Sequence, residues 1–441
     1  MLIRFTCENF LSFTEETEFL NTANTRSIKL KDHIIRSKSS HIPILKGTAI
    51  YGANASGKSN FLKAIIFSKN IVTNCKKDIH EHYISSHQSK FSQTADSKFE
   101  YEFKIAHEVF RYGFIINQTQ VTAEWLYQKS IVAASAEKTI FTRENQIINH
   151  QGEIKNIIKS EYKGDLFLDY CVKGLRSEQL FLHKLKDNNI KFVDQIFDWF
   201  NSIVFVDKDT KFSKILPNEL KKEEEFINFF KPALCLFDSN ISGIVFEEIA
   251  EINKSTDIKY VEPYFFEQLY DLLIDDNYDD FFLPYGGCFF KKEGKKIKQK
   301  QLFIIRNNKK FSLKEESLGI NRLVDLLPVL FNYKNKIWLI DELENSLHPY
   351  LAELLVKGFF HLSQNNESQL IFTTHLPYLL NLDLLRKDEI WFVEKDKNMN
   401  SIIKSLAEYQ TANTKNGLDI EKQYLQGRFG VVPFISSSFF E

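Results

Sequence analysis

The sequence predicts an α/β fold, a mixed sheet with helices and a β-meander lobe, interrupted by a mainly helical insertion. Three observations predict it. The short apolar run Leu45–Tyr51 leads into a turn bounded by Gly52 and Gly57, followed by apolar residues at helical spacing: Phe61, Leu62, Ile65 and Ile66. Toward the other end, helical and strand patterns alternate: 319–330 (helix), 337–341 (strand), 350–362 (helix), 369–373 and 389–394 (strands). Between these halves the texture shifts to segments whose polar faces are rich in Lys, Glu and Asp.

Taken in order, residues 2–13 alternate roughly between apolar and polar positions, the pattern of a half-buried strand. Residues 99–105, 109–116 and 121–127 read as a β-meander. In the middle, 180–200 and 221–237 read as helices and 203–207 as a strand. No heptad pattern is sustained, which argues against a long coiled-coil arm. Residues 301–306 and 310–313 predict a hairpin turned at Asn307 and Asn308.

Composition bounds the function. The chain has 441 residues with 57 Lys+Arg against 58 Asp+Glu, so a uniformly basic nucleic-acid coat is excluded while a local basic patch is not. Phe alone (41) outnumbers Gly (16) and Pro (9) together, leaving large apolar faces for packing or association. Cys7, Cys75, Cys171, Cys235 and Cys288 form no CxxC pair, which argues against a disulfide framework or a four-cysteine zinc site. Cys75, His80 and His82 lack an evident fourth metal ligand. Charges interrupt the N-terminal apolar stretch, and no apolar run approaches the roughly 18 residues of a membrane span. A reduced, soluble, cytoplasmic protein is expected.

The strongest chemical signal is Gly52-Ala53-Asn54-Ala55-Ser56-Gly57-Lys58-Ser59, followed by Asn60. Its glycines let backbone N–H groups close around phosphate oxygens, and the helix that follows turns its positive end to the same anion. Lys58 can reach the terminal phosphates, and the Ser59 hydroxyl can ligate Mg²⁺. A second motif, Ile337-Trp338-Leu339-Ile340-Asp341-Glu342, is an apolar strand ending in two carboxylates. Asp341 suits the Mg²⁺ shell, and Glu342 can orient or deprotonate an attacking water. Ser317-Leu318-Gly319 opens an apolar helix and offers a hydroxyl and free N–H groups to an anion. Thr373-Thr374-His375 closes a strand with an imidazole. Singly, Ser317 reads as an N-cap and His375 as a surface histidine; in this order with the stronger motifs, both read as phosphate ligands.

That order resembles ABC-type ATPase heads of the RecF/SMC/OLD-like group. With Glu344-Asn345-Ser346-Leu347-His348-Pro349, the tail Tyr424-Leu-Gln-Gly-Arg-Phe-Gly-Val-Val-Pro433, and the weaker segments Asn9–Phe13 and Asp238–Gly243, the chain looks like the abortive-infection-type ATPases of prokaryotic anti-phage systems. The resemblance implies an ABC-type P-loop ATPase head with ATP and Mg²⁺ as ligands. Two heads would sandwich ATP: Gly52–Ser59, Asp341, Glu342 and His375 of one copy would meet Ser317 and Gly319 of the other. Lys58, Glu342 and His375 would be catalytic, and Ser59 and Asp341 would hold the metal. Asn345 and Ser346 would lie in a coupling loop, and Gln88 or Gln93 would supply the family's glutamine. Only Gly319 stands where the family has a longer glycine-rich signature, which implies a weaker γ-phosphate contact.

The domain organisation expected is 1–150 as the first part of the head, 151–300 as the insertion and 301–441 as the second part of the head. The stretch after His375 is too short for the Toprim-type nuclease domain of OLD-type relatives, so a separate effector, such as a nuclease, is expected. Asp207-Lys208-Asp209 reads as a strand-end turn. The lysines and arginine between Lys291 and Lys310 can contact a nucleic-acid backbone or simply line a solvated hairpin. Phe281, Phe282, Phe289 and Phe290 suit a core or an interface. Three functions remain open: a defence regulator, a RecF-like DNA clamp, and a scaffold that binds ATP and barely hydrolyses it.

Overall fold

The computed structural model describes residues 1–24, 29–35, 42–74, 87–90, 92, 96–130, 136–149, 152–162, 166–215, 223–252, 282–285, 288–293, 296–331, 335–409 and 420–429. The chain divides into two compact units. The first comprises Met1–Phe205, Lys334–Glu342 and Ser363–Glu441; the second comprises Val206–Tyr333 and Leu343–Leu362. These divisions run through the chain at other points than the texture changes near 150 and 300.

In the first unit, a six-stranded sheet has the order Ile203–Val206, Ile337–Ile340, Gln369–Thr373, Gly47–Gly52, Ile390–Lys395, Ser401–Ser405. Ile337–Ile340, Gln369–Thr373, Gly47–Gly52 and Ile390–Lys395 pair in parallel, and Ser401–Ser405 closes the edge antiparallel. Strands covered on both faces are apolar throughout rather than alternating. Ile337–Ile340 and Gln369–Thr373 accordingly have every residue buried.

A seven-stranded antiparallel sheet, ordered Ile147–Asn149, Lys138–Glu144, Val121–Ser130, Glu108–Ile116, Ser97–Ile105, Leu2–Glu8, Thr17–Leu20, contains the expected meander. Its strands alternate: Phe99, Tyr101 and Phe103 are core residues, while the intervening Glu100 pairs with Arg4 and accepts from Trp125 Nε1. The helix Lys58–Thr73 shares one core with residues of both sheets. The Phe61 ring lies 5.3–6.1 Å from those of Phe5, Phe13 and Phe19, and the Tyr101 hydroxyl donates to Ile65 O at 2.8 Å. This packing fixes the helix that begins at the glycine loop.

Among its described residues, the second unit holds more strand than the sequence pattern predicts. Its helix Glu223–Phe237 is followed by a five-stranded antiparallel sheet made of Gly243–Ile252, Lys296–Arg306, Cys288–Glu293, Phe282–Tyr285 and Lys309–Ser312. Among the described residues of 151–300, helices predominate up to 237, with the strand Ile203–Val206 between them, and strands follow from 243. The reason is aromatic packing: Phe226 and Phe230 stack at 3.9 Å, and Phe226, Phe246 and Phe289 meet edge to face at 4.5–5.4 Å. A sheet face presents such a row, and Lys300 stands directly opposite Phe289 on it, paired with Glu223 of the covering helix. Asn307 and Asn308 turn the expected hairpin with φ of 47° and 60°, the backbone that a two-residue turn of this kind requires. Helices Leu318–Leu326 and Pro349–Leu362 complete the unit. No helix among the described residues is long and apolar enough to cross a membrane.

Candidate nucleotide site

The strand Gly47–Gly52 delivers its glycine to the head of the loop, where Ser56 N donates to Ala53 O at 3.2 Å. Glycine is needed at both ends. A Cβ on Gly52 would lie 2.5 Å from Val393 O and from Ser56 Oγ; one on Gly57, where φ is 119°, would overlap Ser401 Oγ. Gly57 is the N-cap of Lys58–Thr73, and no side chain caps that helix. Its first amides are thus left to a ligand or water. Asn54 and Ala55 are exposed while Ser56, Gly57 and Lys58 are buried. Lys58 Nζ donates to Gly52 O at 2.8 Å and Ala53 O at 3.0 Å, folded back on its own loop.

Behind the loop lies a cluster that sequence reasoning missed. Ser401 Oγ lies 2.5 Å from Ser56 O and 2.8 Å from Ser12 Oγ, and Asn60 Nδ2 donates to Ser12 Oγ at 2.9 Å. Ser401 is hundreds of residues from the loop in sequence, and a lone serine in an edge strand carries no signal. Ser12 lies in the Asn9–Phe13 segment, which carries part of the resemblance.

Three adjacent parallel strands end beside one another here, the usual place for a ligand in an open α/β sheet. Asp341 Oδ1 accepts from Ser59 Oγ at 3.0 Å and from Thr373 Oγ1 at 2.7 Å; Thr373 Oγ1 accepts from Glu342 N at 2.7 Å. Glu342 has φ 51°, a left-handed backbone that turns it off the strand axis, and it is half-buried. Its strained backbone and the Thr373 bond fix the residue on which the hydrolytic reading depends. Thr374 is buried with its N–H on Ile50 O at 3.1 Å, and His375 follows it, half-buried. Thr373 acts as a joint between the two carboxylate residues, a role invisible in sequence because strand-end threonines are common.

Ser317 and Gly319 belong to the second unit. Ser317 is the N-cap of Leu318–Leu326, its Oγ accepting from Ile320 N at 3.3 Å. A Cβ on Gly319 would lie 3.1 Å from Ser346 O, so the glycine admits the 343–349 loop, where Ser346 has φ 61° and donates to Asn345 Oδ1 at 3.0 Å.

Gln88 lies in the described segment 87–90, which Ser89 N ties to Asn9 Oδ1 at 3.1 Å. Gln93, Cys75, His80, His82 and Phe281 lie outside the described residues. Asp207 accepts from Asp209 N and from Thr210 Oγ1, a tight turn in which these bonds outweigh burial and lower its carboxyl pKa. Phe289 and Phe290 are core residues. In the tail, Tyr424 and Phe429 pack on Phe392 at 6.1 and 4.7 Å, and Tyr424 also meets Tyr51. Along the basic hairpin, Lys298 pairs with Glu248, Lys300 with Glu223, Lys310 with Glu247, and Arg306 with Asp238 and Glu316.

A glycine loop on a central parallel strand, two carboxylates on the adjoining strand end and an antiparallel sheet packed on the loop's helix define a P-loop ATPase domain. The chain belongs to the family described as "AAA domain, putative AbiEii toxin, Type IV TA system", which matches residues 48–135 and 170–381. Solved structures similar to it include the SMC head domain from Thermotoga maritima, 13% identical, covering 92% of this chain and 98% of that one with a TM-score of 0.40. An SmcHead bound to the C-winged helix domain of ScpA is 14% identical and covers 92% and 97%, with a TM-score of 0.43. The Smc head domain with an extended coiled coil bound to the C-terminal domain of ScpA, from Pyrococcus furiosus, is 13% identical and covers 97% and 98%, with a TM-score of 0.39. No curated protein sequence matches the chain.

Proposed function

We propose that this chain is an ATP-hydrolysing head, that two copies close around ATP, and that the pair senses or regulates a separate effector in prokaryotic anti-phage defence. The observation that carries the ATPase reading is the hydrogen-bonded line Ser59–Asp341–Thr373–Glu342 beside the glycine loop. The loop accommodates phosphates because Gly52 and Gly57 hold a backbone that any Cβ would obstruct. Ser59 Oγ and the Asp341 carboxylate are hard oxygen donors, a small set that suits Mg²⁺, which keeps waters and phosphate oxygens in its shell. Bound there, Mg²⁺ would neutralise charge developing on the phosphates.

Lys58 exchanges its two loop carbonyls for phosphate oxygens. Glu342 receives a proton from the attacking water at its carboxylate, and His375 donates to the terminal phosphate. Ser317 and Gly319 of the second copy complete the site from the other side, with Asn345 and Ser346 in the coupling loop. Release of ADP and phosphate then separates the copies.

The defence setting rests on the family's toxin–antitoxin description and the motif resemblance. The ion pairs along Lys296–Arg306 and Lys309–Ser312 weigh against the RecF-like clamp, since a paired lysine releases fewer counterions on binding DNA. Binding of a fluorescent ATP analogue and phosphate release test the reading together. Glu342→Gln should bind normally and hydrolyse roughly 10²–10⁴-fold more slowly. Unchanged turnover in that variant would refute the assignment of Glu342.

A further inference from the structure

The Asp238–Gly243 segment, singled out by resemblance alone, has a structural role that leads to Ser317. Asp238 follows the helix Glu223–Phe237 and accepts from Asn240 N at 2.9 Å, while Ser242 N and Oγ donate to Ile305 O. The turn is thereby tied to the end of the strand Lys296–Arg306. Arg306 lies between two carboxylates: Nη1 is 2.8 Å from Asp238 Oδ2, while Nε and Nη2 donate to Glu316 Oε1 and Oε2 at 2.9 and 3.2 Å. Glu316 is the residue immediately before Ser317 and its side chain is only 6% exposed. Asn321 adds a second restraint, its Nδ2 donating to Leu313 O at 2.8 Å and Glu316 O at 3.3 Å.

A planar guanidinium gripping a carboxylate with two parallel bonds sets direction as well as distance. We propose that Asp238, Arg306 and Glu316 are positioning residues that orient the Ser317–Gly319 helix start toward the ATP of a second copy. Arg306, which the sequence offers as a nucleic-acid contact, is thus committed to the ATPase cycle. The triad also joins that helix start to the five-stranded sheet of the second unit. The inference rests on the proposed function, in which Ser317 acts in trans.

Glu316→Gln tests it, because it keeps shape and removes the charge-assisted pair. Positioning of a trans contact predicts an unchanged KM for ATP, a kcat at least tenfold lower, and ATP-driven association that weakens and recovers as protein concentration rises. Arg306→Lys, which keeps the charge and loses the two-bond grip, should fall between the two. Wild-type kcat and association in Glu316→Gln would overturn the inference. If Glu316→Gln fails to fold, Asp238→Asn decides, with the same loss expected and wild-type turnover contradicting it. A wild-type chain that binds no ATP would instead remove the proposed function itself, and this inference with it.

Discussion

The helix Lys58–Thr73 begins at Gly57 with no side chain capping it, whereas Leu318–Leu326 begins at Ser317, whose Oγ accepts from Ile320 N. Both starts leave amides that an anion can satisfy, but only the second supplies its own acceptor. At the first, the lysine folds onto loop carbonyls and the glycines hold a backbone that a Cβ would obstruct. The second caps one of its own amides. That difference fits a division of labour in which the glycine loop binds nucleotide in each copy, and the Ser317 start joins only when a second copy arrives.

The largest effect is expected at Lys58. Lys58→Ala should lower nucleotide affinity by roughly two orders of magnitude, the loss of a charge-assisted contact in a site partly withdrawn from water. Isothermal titration with ATP checks this, and retained affinity would sink the loop assignment. Gly57→Ala should also abolish binding while destabilising the fold by about 1–3 kcal/mol, since φ of 119° and the overlap with Ser401 force the loop to move. Urea unfolding and titration of the same sample separate the two effects.

Ser317 sharpens the contrast. Ser317→Ala removes the cap and should cost about 1 kcal/mol, whereas Ser317→Asp keeps it. Both should leave ATP affinity of a single copy intact, and Ser317→Asp should abolish ATP-driven association by setting a carboxylate against phosphate. Association that survives Ser317→Asp would remove Ser317 from the site. The smallest effect is expected for the double substitution of Lys298 and Lys300 by Gln. These partly exposed ion pairs should contribute no more than about 1 kcal/mol, and ATP turnover should not change.

Much of this site was legible in the sequence because its chemistry is local. Gly52–Ser59 must adopt one backbone to hold phosphate, and Asp341 and Glu342 follow an apolar strand whose burial dictates its composition. The residues that escaped detection act across long sequence separations. Thr373 joins Asp341 to Glu342, and Ser12 and Ser401 brace the loop from distant strands, yet none stands in a local pattern that marks it. The fold shows the same split. The Gln369–Thr373 strand and the Asn307–Asn308 turn declared themselves through burial pattern and turn chemistry. The five-stranded sheet did not, because strands such as Lys296–Arg306 carry lysines whose partners lie on other elements and mask the alternation. The net charge hides this as well: a balance of 57 cations and 58 anions says nothing of which ones meet.

Sedimentation velocity of Glu342→Gln tests whether ATP joins two copies through the glycine loop of one and Ser317 of the other. With Mg²⁺ and saturating ATP, the slowed variant should sediment as twice the mass it shows without nucleotide, and adding Lys58→Ala should cancel the change. An unchanged mass at saturating ATP would contradict the claim.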